Sequence, residues 1–177
     1  MDESESGDSL YLTVSGTDRV ASVLERVAQF TRLQGQGDAN ALLLVIRELL
    51  MNALVHGNES KVSRMVLVRI ARMGELFEVQ VDDEGEGFDY ETLDLDLPDD
   101  PQSLEGRGRG RGLVLVHELS KTLVFERGGR RVRAIVRPDG TRPESAFGGF
   151  GPTKGNKFNR KKYSREATCT NPMGKSL

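Results

Sequence analysis

Residues 38–57 read DANALLLVIRELLMNALVHG, and this stretch decides the fold. From Ala41 onward it is apolar on nearly every side, which predicts a helix packed in the core of a domain and running to about His56. Asp38 is suited to cap the N-terminus of that helix, and Gly57 is typical of a C-terminal stop. The sequence therefore predicts one long core helix here.

Three of the polar side chains in this apolar helix share one face. Glu48, Asn52 and His56 follow one another at spacings of four residues, so they lie on one helix face. Burying an unpaired carboxylate is costly, and no structural partner for Glu48 is evident in the sequence. Glu48 and Asn52 could hold Mg²⁺ and orient a nucleophile, or they could make only caps and surface contacts. His56 is weaker evidence, since a lone histidine near a helix C-terminus is more often structural.

Shorter elements are predicted on both sides of the core helix. Apolar spacing indicates a strand at 10–14, a helix at 18–33, a hairpin at 65–73 and 76–81, a helix at 113–119, and a second hairpin at 122–126 and 131–136. Hairpins this short leave no room for parallel crossovers. The predicted fold class is therefore α+β, a two-layer α/β sandwich whose mixed, mostly antiparallel sheet is covered by helices on one face.

Length and composition fit one domain with tails. The chain has 177 residues, of which 37% are apolar, and Cys169 is the only cysteine. One core is possible, while an intramolecular disulfide and a cysteine-built zinc site are excluded. We expect a flexible acidic N-terminus at 1–8, one domain at 9–137, and a basic, disordered or loosely packed tail at 138–177. Without a signal-peptide pattern or an apolar run of about 18 residues, a soluble cytoplasmic protein is expected.

An acidic motif with two glycines follows the strand at 76–81. Residues 83–88 read DEGEGF. Gly85 and Gly87 remove side chains where the chain turns and where a ligand can approach the backbone. Asp83 can accept a hydrogen bond from an exocyclic amine, which would distinguish adenine from guanine. Taken alone, the motif could also be an ordinary acidic turn or a calcium-like loop.

A run of glycines and arginines opens the helix at 113–119. Residues 82–112 have almost no apolar periodicity, which is typical of a functional loop or lid. Backbone N–H groups at the start of a helix can meet phosphates, and arginines supply positive charge. The run does not complete the dinucleotide-binding pattern, and as an Arg and Gly repeat it could instead bind RNA. The candidate nucleotide contacts are Arg109, Gly110, Arg111, Gly112 and Leu113.

Three motifs follow one another in a specific order along the chain. They are E-x-x-x-N-A-x-x-H-G at 48–57, D-x-G-x-G-F at 83–88 and G-x-G-L at 110–113. Together they resemble the ATP-binding domain shared by gyrase, histidine kinases and mismatch-repair ATPases, the GHKL superfamily with its Bergerat-type fold. Within that superfamily, the short chain and the H-G after the asparagine resemble the bacterial anti-sigma-factor serine/threonine kinases. The resemblance covers residues 10–137.

The resemblance implies roles for several residues in a nucleotide site. Asp83 would read the adenine amine, and Gly85 and Gly87 would shape the base pocket. Gly110 and Gly112 would face the phosphates. The implied cofactors are ATP and Mg²⁺.

The resemblance also implies a reaction and partners. Glu48 matches the general base proposed for the family, and Asn52 would hold Mg²⁺. Kinases of this type phosphorylate a serine on a small anti-sigma-factor antagonist, otherwise sequester a sigma factor, and are commonly homodimers. We therefore expect a cytoplasmic protein serine/threonine kinase that regulates transcription as an anti-sigma factor, without contact to a membrane or directly to nucleic acid.

Two other functions are open at this point. One is a non-catalytic module of the same superfamily, in which ATP orders the lid and so controls a partner surface. The other is an RNA-binding protein that uses the Gly/Arg run and the basic tail. Glu48 favours catalysis over the first alternative, and pocket residues on a buried helix disfavour the second.

Overall fold

The structure is a computed structural model that describes residues 1–95 and 111–141. Its helices and strands lie close to the predicted ones. In chain order they are β1 (Asp2–Ser6), β2 (Ser9–Val14), α1 (Val20–Leu33), α2 (Asn40–Met51), β3 (Val66–Met73), β4 (Leu76–Asp83), α3 (Arg111–Leu119), β5 (Ser120–Glu126) and β6 (Arg131–Val136). A π-helical turn, Asn52–Gly57, extends α2.

The described strands form one six-stranded sheet in the order β1-β2-β3-β4-β6-β5. Every neighbouring pair is antiparallel. Strand β2 alternates buried and more exposed residues, with Leu10 and Leu12 buried and Tyr11 exposed. Alternation of this kind buries one face of a sheet against other elements and leaves the second face to solvent. The predicted α+β sandwich with helices on one face is confirmed.

Helix α2 is the centre of the core. Leu42, Ile46 and Leu50 on this helix are fully buried, as are Phe30 of α1 and Phe77 of β4. The rings of Phe30 and Phe77 meet edge to face at 6.4 Å between centroids, a favourable arrangement for aromatic pairs. The long core helix predicted from residues 38–57 is confirmed.

By length and composition, Asn40–Gly57 could also cross a membrane. It is the one described helix with this property, and its mean hydropathy is 1.3. Core helices of globular domains share such a composition, and this helix packs against the sheet with its apolar residues in the core. Its hydropathy is therefore accounted for by burial within the domain.

The uncovered face of the sheet carries charges in cross-strand pairs. Arg69 Nη1 lies 2.6 Å from Glu78 Oε1 between β3 and β4. Arg131 Nε lies 2.6 Å from Asp82 Oδ1 between β6 and β4. Opposite charges on neighbouring strands stabilise a sheet modestly. Asp82 thus belongs to the outer face, whereas Asp83 next to it points toward the helices.

The N-terminus differs from the prediction. Residues 1–8 were expected to be flexible, but Asp2–Ser6 form the edge strand β1, paired with β2. Arg26 of α1 forms ion pairs with Glu3, at 3.2 Å, and with Glu5. All five residues of β1 are exposed, so the segment has no apolar alternation from which a strand could be predicted. Backbone pairing and these ion pairs stabilise it instead.

The start of α2 also differs from the prediction. Asp38 Oδ1 accepts a hydrogen bond from the Asn40 N–H at 2.9 Å, but the helix begins at Asn40 without a side-chain cap. The Pro138 carbonyl accepts hydrogen bonds from Ala41 N–H at 3.0 Å and Leu42 N–H at 3.3 Å. These are N–H groups that a helix leaves without an internal partner. Residue 138 was expected to begin the tail but belongs to the domain, while 142–177 lie outside the described residues.

Candidate functional site

The predicted site residues meet where α2, β4 and α3 approach one another. The π-helical turn brings the end of α2 against the end of β4, and α3 begins beside the middle of α2. The wider winding of the π-helical turn is seen in the hydrogen bond from Asn58 N–H to the Ala53 carbonyl, five residues back, at 2.7 Å. Single π-helical turns are rare in proteins, and those that do occur are often found at functional sites.

Two glycines allow the Asp83 carboxylate to lie against the end of the helix. A Cβ atom at Gly57 would lie 2.5 to 2.7 Å from the carboxylate atoms of Asp83. A Cβ atom at Gly85 would lie 2.0 Å from the Gly57 carbonyl oxygen. Real Cβ atoms do not approach this closely, so both positions require glycine. The structure therefore brings together Gly57, Asp83 and Gly85.

The Asp83 carboxylate has an unusual environment. Burial raises the pKa of Asp83 above its ordinary value, and this effect outweighs the opposing influence of the Gly85 N–H and of Arg130. The Gly85 N–H donates to Asp83 Oδ1 at 2.8 Å. The Asp83 N–H donates to the Arg130 carbonyl at 2.9 Å. A partly desolvated carboxylate held by backbone bonds is well suited to accept a hydrogen bond from a ligand.

The loop after β4 is anchored on the turn between β5 and β6. Gly87 has a φ of +84°, and a Cβ atom there would lie 2.0 Å from the Gly128 carbonyl oxygen. The Phe88 N–H donates to that same carbonyl at 3.0 Å. Tyr90 stacks on Phe125 at 5.3 Å, and the Phe88 ring meets Phe125 edge to face at 5.8 Å. Gly87 is thus required for an anchored loop beside Asp83.

Glu48 lies directly against the start of α3. A Cβ atom at Gly112 would lie 2.5 Å from Glu48 Oε2, so glycine allows the two helices to approach here. Glu48 Oε1 lies 2.5 Å from Arg47 Nη1, and the Glu48 side chain is 20% exposed. Glu48 therefore has a structural partner, Arg47, which the sequence did not reveal.

A comparison with protein-family models matched the histidine kinase-like ATPase domain over residues 13–136. The chain belongs to this family. The matched segment begins in β2 and ends at the last residue of β6. A comparison with curated proteins found no match for the chain.

Membership of the histidine kinase-like ATPase domain family confirms the predicted GHKL superfamily. It indicates ATP binding, with an ATP-dependent phosphotransferase or ATPase activity. The site geometry fits that indication, because Gly57 and Gly85 let the backbone pack closely against the Asp83 carboxylate, which can accept a hydrogen bond from an amine.

Within the described part of the chain, Asn52 carries an unpartnered amide nitrogen in the π-helical turn at the end of α2. Its Nδ2 atom is buried and has no hydrogen-bond partner among the described residues. A buried amide N–H without a partner is unusual in folded proteins. This group can donate to an acceptor such as a phosphate oxygen, whereas a metal ion would be held by the amide oxygen. No cluster of three or more His, Cys, Asp or Glu in 1–95 and 111–141 could hold a metal ion. Mg²⁺ needs none, since it is held by one or two protein oxygens together with phosphates and waters.

The remaining predicted contacts lie at the start of α3 or outside the described residues. Arg111 is exposed at the first position of the helix, and Leu113 is 8% exposed in the core. The side chain of Leu113 therefore packs inside the domain, so a nucleotide contact there would involve its backbone. Arg109 and Gly110 lie outside the described residues. His56 is exposed at the end of the π-helical turn.

Sequence reasoning missed two residues next to this site. Asn58 was given no role in the site, and Glu84 was placed only in an acidic motif. Asn58 forms two half-buried hydrogen bonds beside Asp83, and Glu84 takes part in one of them and in an exposed bond with Met65. The sequence signal that could have pointed to them is their position, because Asn58 directly follows Gly57 and Glu84 directly follows Asp83.

Proposed function

We propose that this ATPase domain is a protein serine kinase of the anti-sigma-factor type. It would transfer the γ-phosphoryl group of ATP to a serine of a small antagonist protein and otherwise sequester a sigma factor. The observation that carries this proposal is the position of Glu48, whose carboxylate lies against Gly112 at the start of α3. A carboxylate beside a helix start that follows a glycine-rich segment is suitably placed to act next to a phosphate.

Nucleotide binding in this proposal depends on residues at both ends of the site. Asp83 accepts a hydrogen bond from the adenine amine, and Gly57 and Gly85 allow the backbone to pack against the Asp83 carboxylate. Asn52 would hold Mg²⁺ through its amide oxygen, as the resemblance implies. The metal supplies positive charge that offsets the charge of the phosphates. Arg111, exposed at the start of α3, adds positive charge at the same end of the site.

Glu48 acts as the proton acceptor in the proposed phosphoryl transfer. A bond forms between the serine Oγ and the γ-phosphorus, while the bond from that phosphorus to the leaving oxygen of the diphosphate breaks. The serine proton passes to the Glu48 carboxylate. Arg47, paired with Glu48 at 2.5 Å, orients the carboxylate. ADP and the phosphoserine protein are the products.

The proposed partners follow from the resemblance of the three motifs to the anti-sigma-factor kinases. They are an anti-sigma-factor antagonist as phosphoacceptor, a sigma factor, and a second copy of the chain in a homodimer. A cytoplasmic location belongs to the same proposal, with no membrane and no direct nucleic-acid contact. The core packing of Asn40–Gly57 supports the absence of a membrane span in the described part of the chain.

One observation favours a second function, that of a non-catalytic ATP-gated interaction module. The ion pair with Arg47 and the contact with Gly112 give Glu48 a structural role that requires no chemistry. In such a module, nucleotide binding would order the segment between β4 and α3 and so control a partner surface.

Isolation of the partner followed by a transfer assay distinguishes these two functions. The protein is purified from its native host with bound partners, which are identified by mass and then incubated with it and γ-labelled ATP. The kinase proposal predicts label on a serine of a small partner protein. Partner binding and MgATP binding without transfer of label would favour the ATP-gated module.

A further inference from the structure

Asn58 is a buried polar residue directly after the helix end that touches Asp83. It is 1% exposed. Its Nδ2 donates to the Met65 carbonyl at 3.0 Å, and its Oδ1 accepts from the Glu84 N–H at 2.9 Å. One side chain thus joins the end of α2, the segment entering β3 and the segment leaving β4.

Glu84 adds a second bond to this arrangement. Its Oε2 accepts a hydrogen bond from the Met65 N–H at 2.8 Å. Asn58, Met65 and Glu84 therefore form a closed triangle of hydrogen bonds, which we call the Asn58 brace. Three chain segments that are distant in sequence are held together by it.

The brace is adjacent in sequence to the contact that defines the base pocket. Asn58 follows Gly57, Glu84 follows Asp83, and Gly57 contacts the Asp83 carboxylate. A displacement of either braced residue would move the Gly57 backbone or the carboxylate. Hydrogen bonds weaken steeply when donor and acceptor move by about 1 Å, so the position of the carboxylate determines how well it accepts an amine.

We propose that Asn58 and Glu84 are positioning residues that determine adenine specificity by holding Gly57 and Asp83 at a fixed separation. The proposal rests on the proposed function of Asp83 as the acceptor of the adenine amine. The brace contributes discrimination between bases rather than affinity for the triphosphate, because a site built around one hydrogen bond rejects ligands that lack the donor.

The test measures how strongly the site prefers ATP to the triphosphate of purine riboside, which lacks the exocyclic amine. Dissociation constants for both are measured by calorimetry, with Mg²⁺, on the full chain. A charge-assisted hydrogen bond should give wild type a preference of about 10- to 100-fold. Asn58→Leu, which removes both side-chain bonds at similar size, should reduce the preference to roughly threefold or less.

Two control variants distinguish a loss of the positioning role of the brace from a general loss of protein stability. Glu84→Gln retains an oxygen that accepts from the Met65 N–H, so it should preserve most of the wild-type preference. Thr31→Val removes another polar group that is 1% exposed and bonds only to carbonyls of its own helix. It should lower the melting temperature but leave the preference unchanged.

Asn58→Leu should fold, since Asn58 also forms backbone bonds to Ala53 and Lys61 that do not involve its side chain. If it does not, Glu84→Ala takes its place and should reduce the preference at least threefold. An unchanged preference in the folded variant, or equal weakening of both triphosphates, would overturn the positioning role. A wild type that binds ATP without preferring it would instead exclude Asp83 as the amine acceptor, and the brace proposal with it.

Discussion

Asp83 and Asp82 are neighbouring carboxylates in different environments at the end of β4. Asp82 lies on the outer sheet face and is paired with Arg131 and Gln80. Asp83 faces the helix layer, contacts Gly57 and accepts the Gly85 N–H. The alternation of side chains along a strand places them on opposite faces of the sheet. The pair thus offers a test residue and a matched control one position apart.

Asp83→Asn should weaken ATP binding by about 1.5 to 3 kcal/mol, since a charge-assisted hydrogen bond to the adenine amine is replaced by a neutral amide. Asp82→Asn should reduce stability but leave ATP affinity within about twofold, because its ion pair lies on the opposite face. Calorimetry on both folded variants measures the difference. Equal affinity in wild type and Asp83→Asn would remove Asp83 from the base pocket.

The raised pKa of Asp83 also predicts a pH dependence of stability. Because the folded state binds this proton more tightly than the unfolded chain, the contribution favours folding below the ordinary pKa of 3.8. It is lost as the pH rises through the raised value. Without nucleotide, Asp83→Asn should therefore raise the melting temperature at pH 7, with a gain that shrinks as the pH falls toward 3.8. A gain independent of pH would show that burial of the charge is not its cause.

At the scale of elements, the strands and helices were predictable where apolar periodicity was strong. The hairpin of β3 and β4 lies where alternation on either side of Gly74 placed it, and Gly74 has a φ of +67°. Strand β1 could not be predicted, because its sequence DESES has no apolar side. The sequence alone reveals periodicity within a segment but not a backbone pairing between segments.

The site was predictable in part for the same reason. Glu48, Asn52 and Asp83 were singled out as candidates because an acid or amide in an apolar context is conspicuous in the sequence. The pairing of Glu48 with Arg47 was not predictable, since neighbouring helix residues point in different directions and rarely meet. The brace of Asn58 and Glu84 depends on a three-way contact, for which a single segment gives no signal.

The bond from Pro138 to α2 predicts where the domain ends. A chain ending at residue 141 keeps the Pro138 carbonyl that accepts from Ala41 and Leu42, so its stability and ATP affinity should match those of the full chain. A chain ending at residue 137 loses this acceptor and should be less stable by roughly 1 to 3 kcal/mol. Urea unfolding compares the two. Equal stability would show that the carbonyl contributes nothing, and loss of ATP binding at 141 would assign part of 142–177 to the site.

At the scale of the whole molecule, the two layers place the site at one end of the sandwich. The sheet fixes Asp83 through β4, while α2 carries Glu48 and Asn52 and meets the start of α3. The proposed recognition of adenine and the proposed phosphoryl transfer therefore depend on different elements of the same core. In the proposed function, Asp83 at the strand end recognises the adenine, and the proposed metal ligand and general base lie on the helix.

This separation is tested most directly by comparing Glu48→Gln with wild type for both MgATP affinity and the rate of phosphoryl transfer to the isolated partner. The kinase account predicts unchanged affinity and a rate lowered by about 10²- to 10⁴-fold, because glutamine retains the shape but cannot accept the serine proton. Asn52→Ala is the matched variant one helical turn away, and it should instead weaken magnesium-dependent nucleotide binding. Transfer by Glu48→Gln at the wild-type rate would contradict the account.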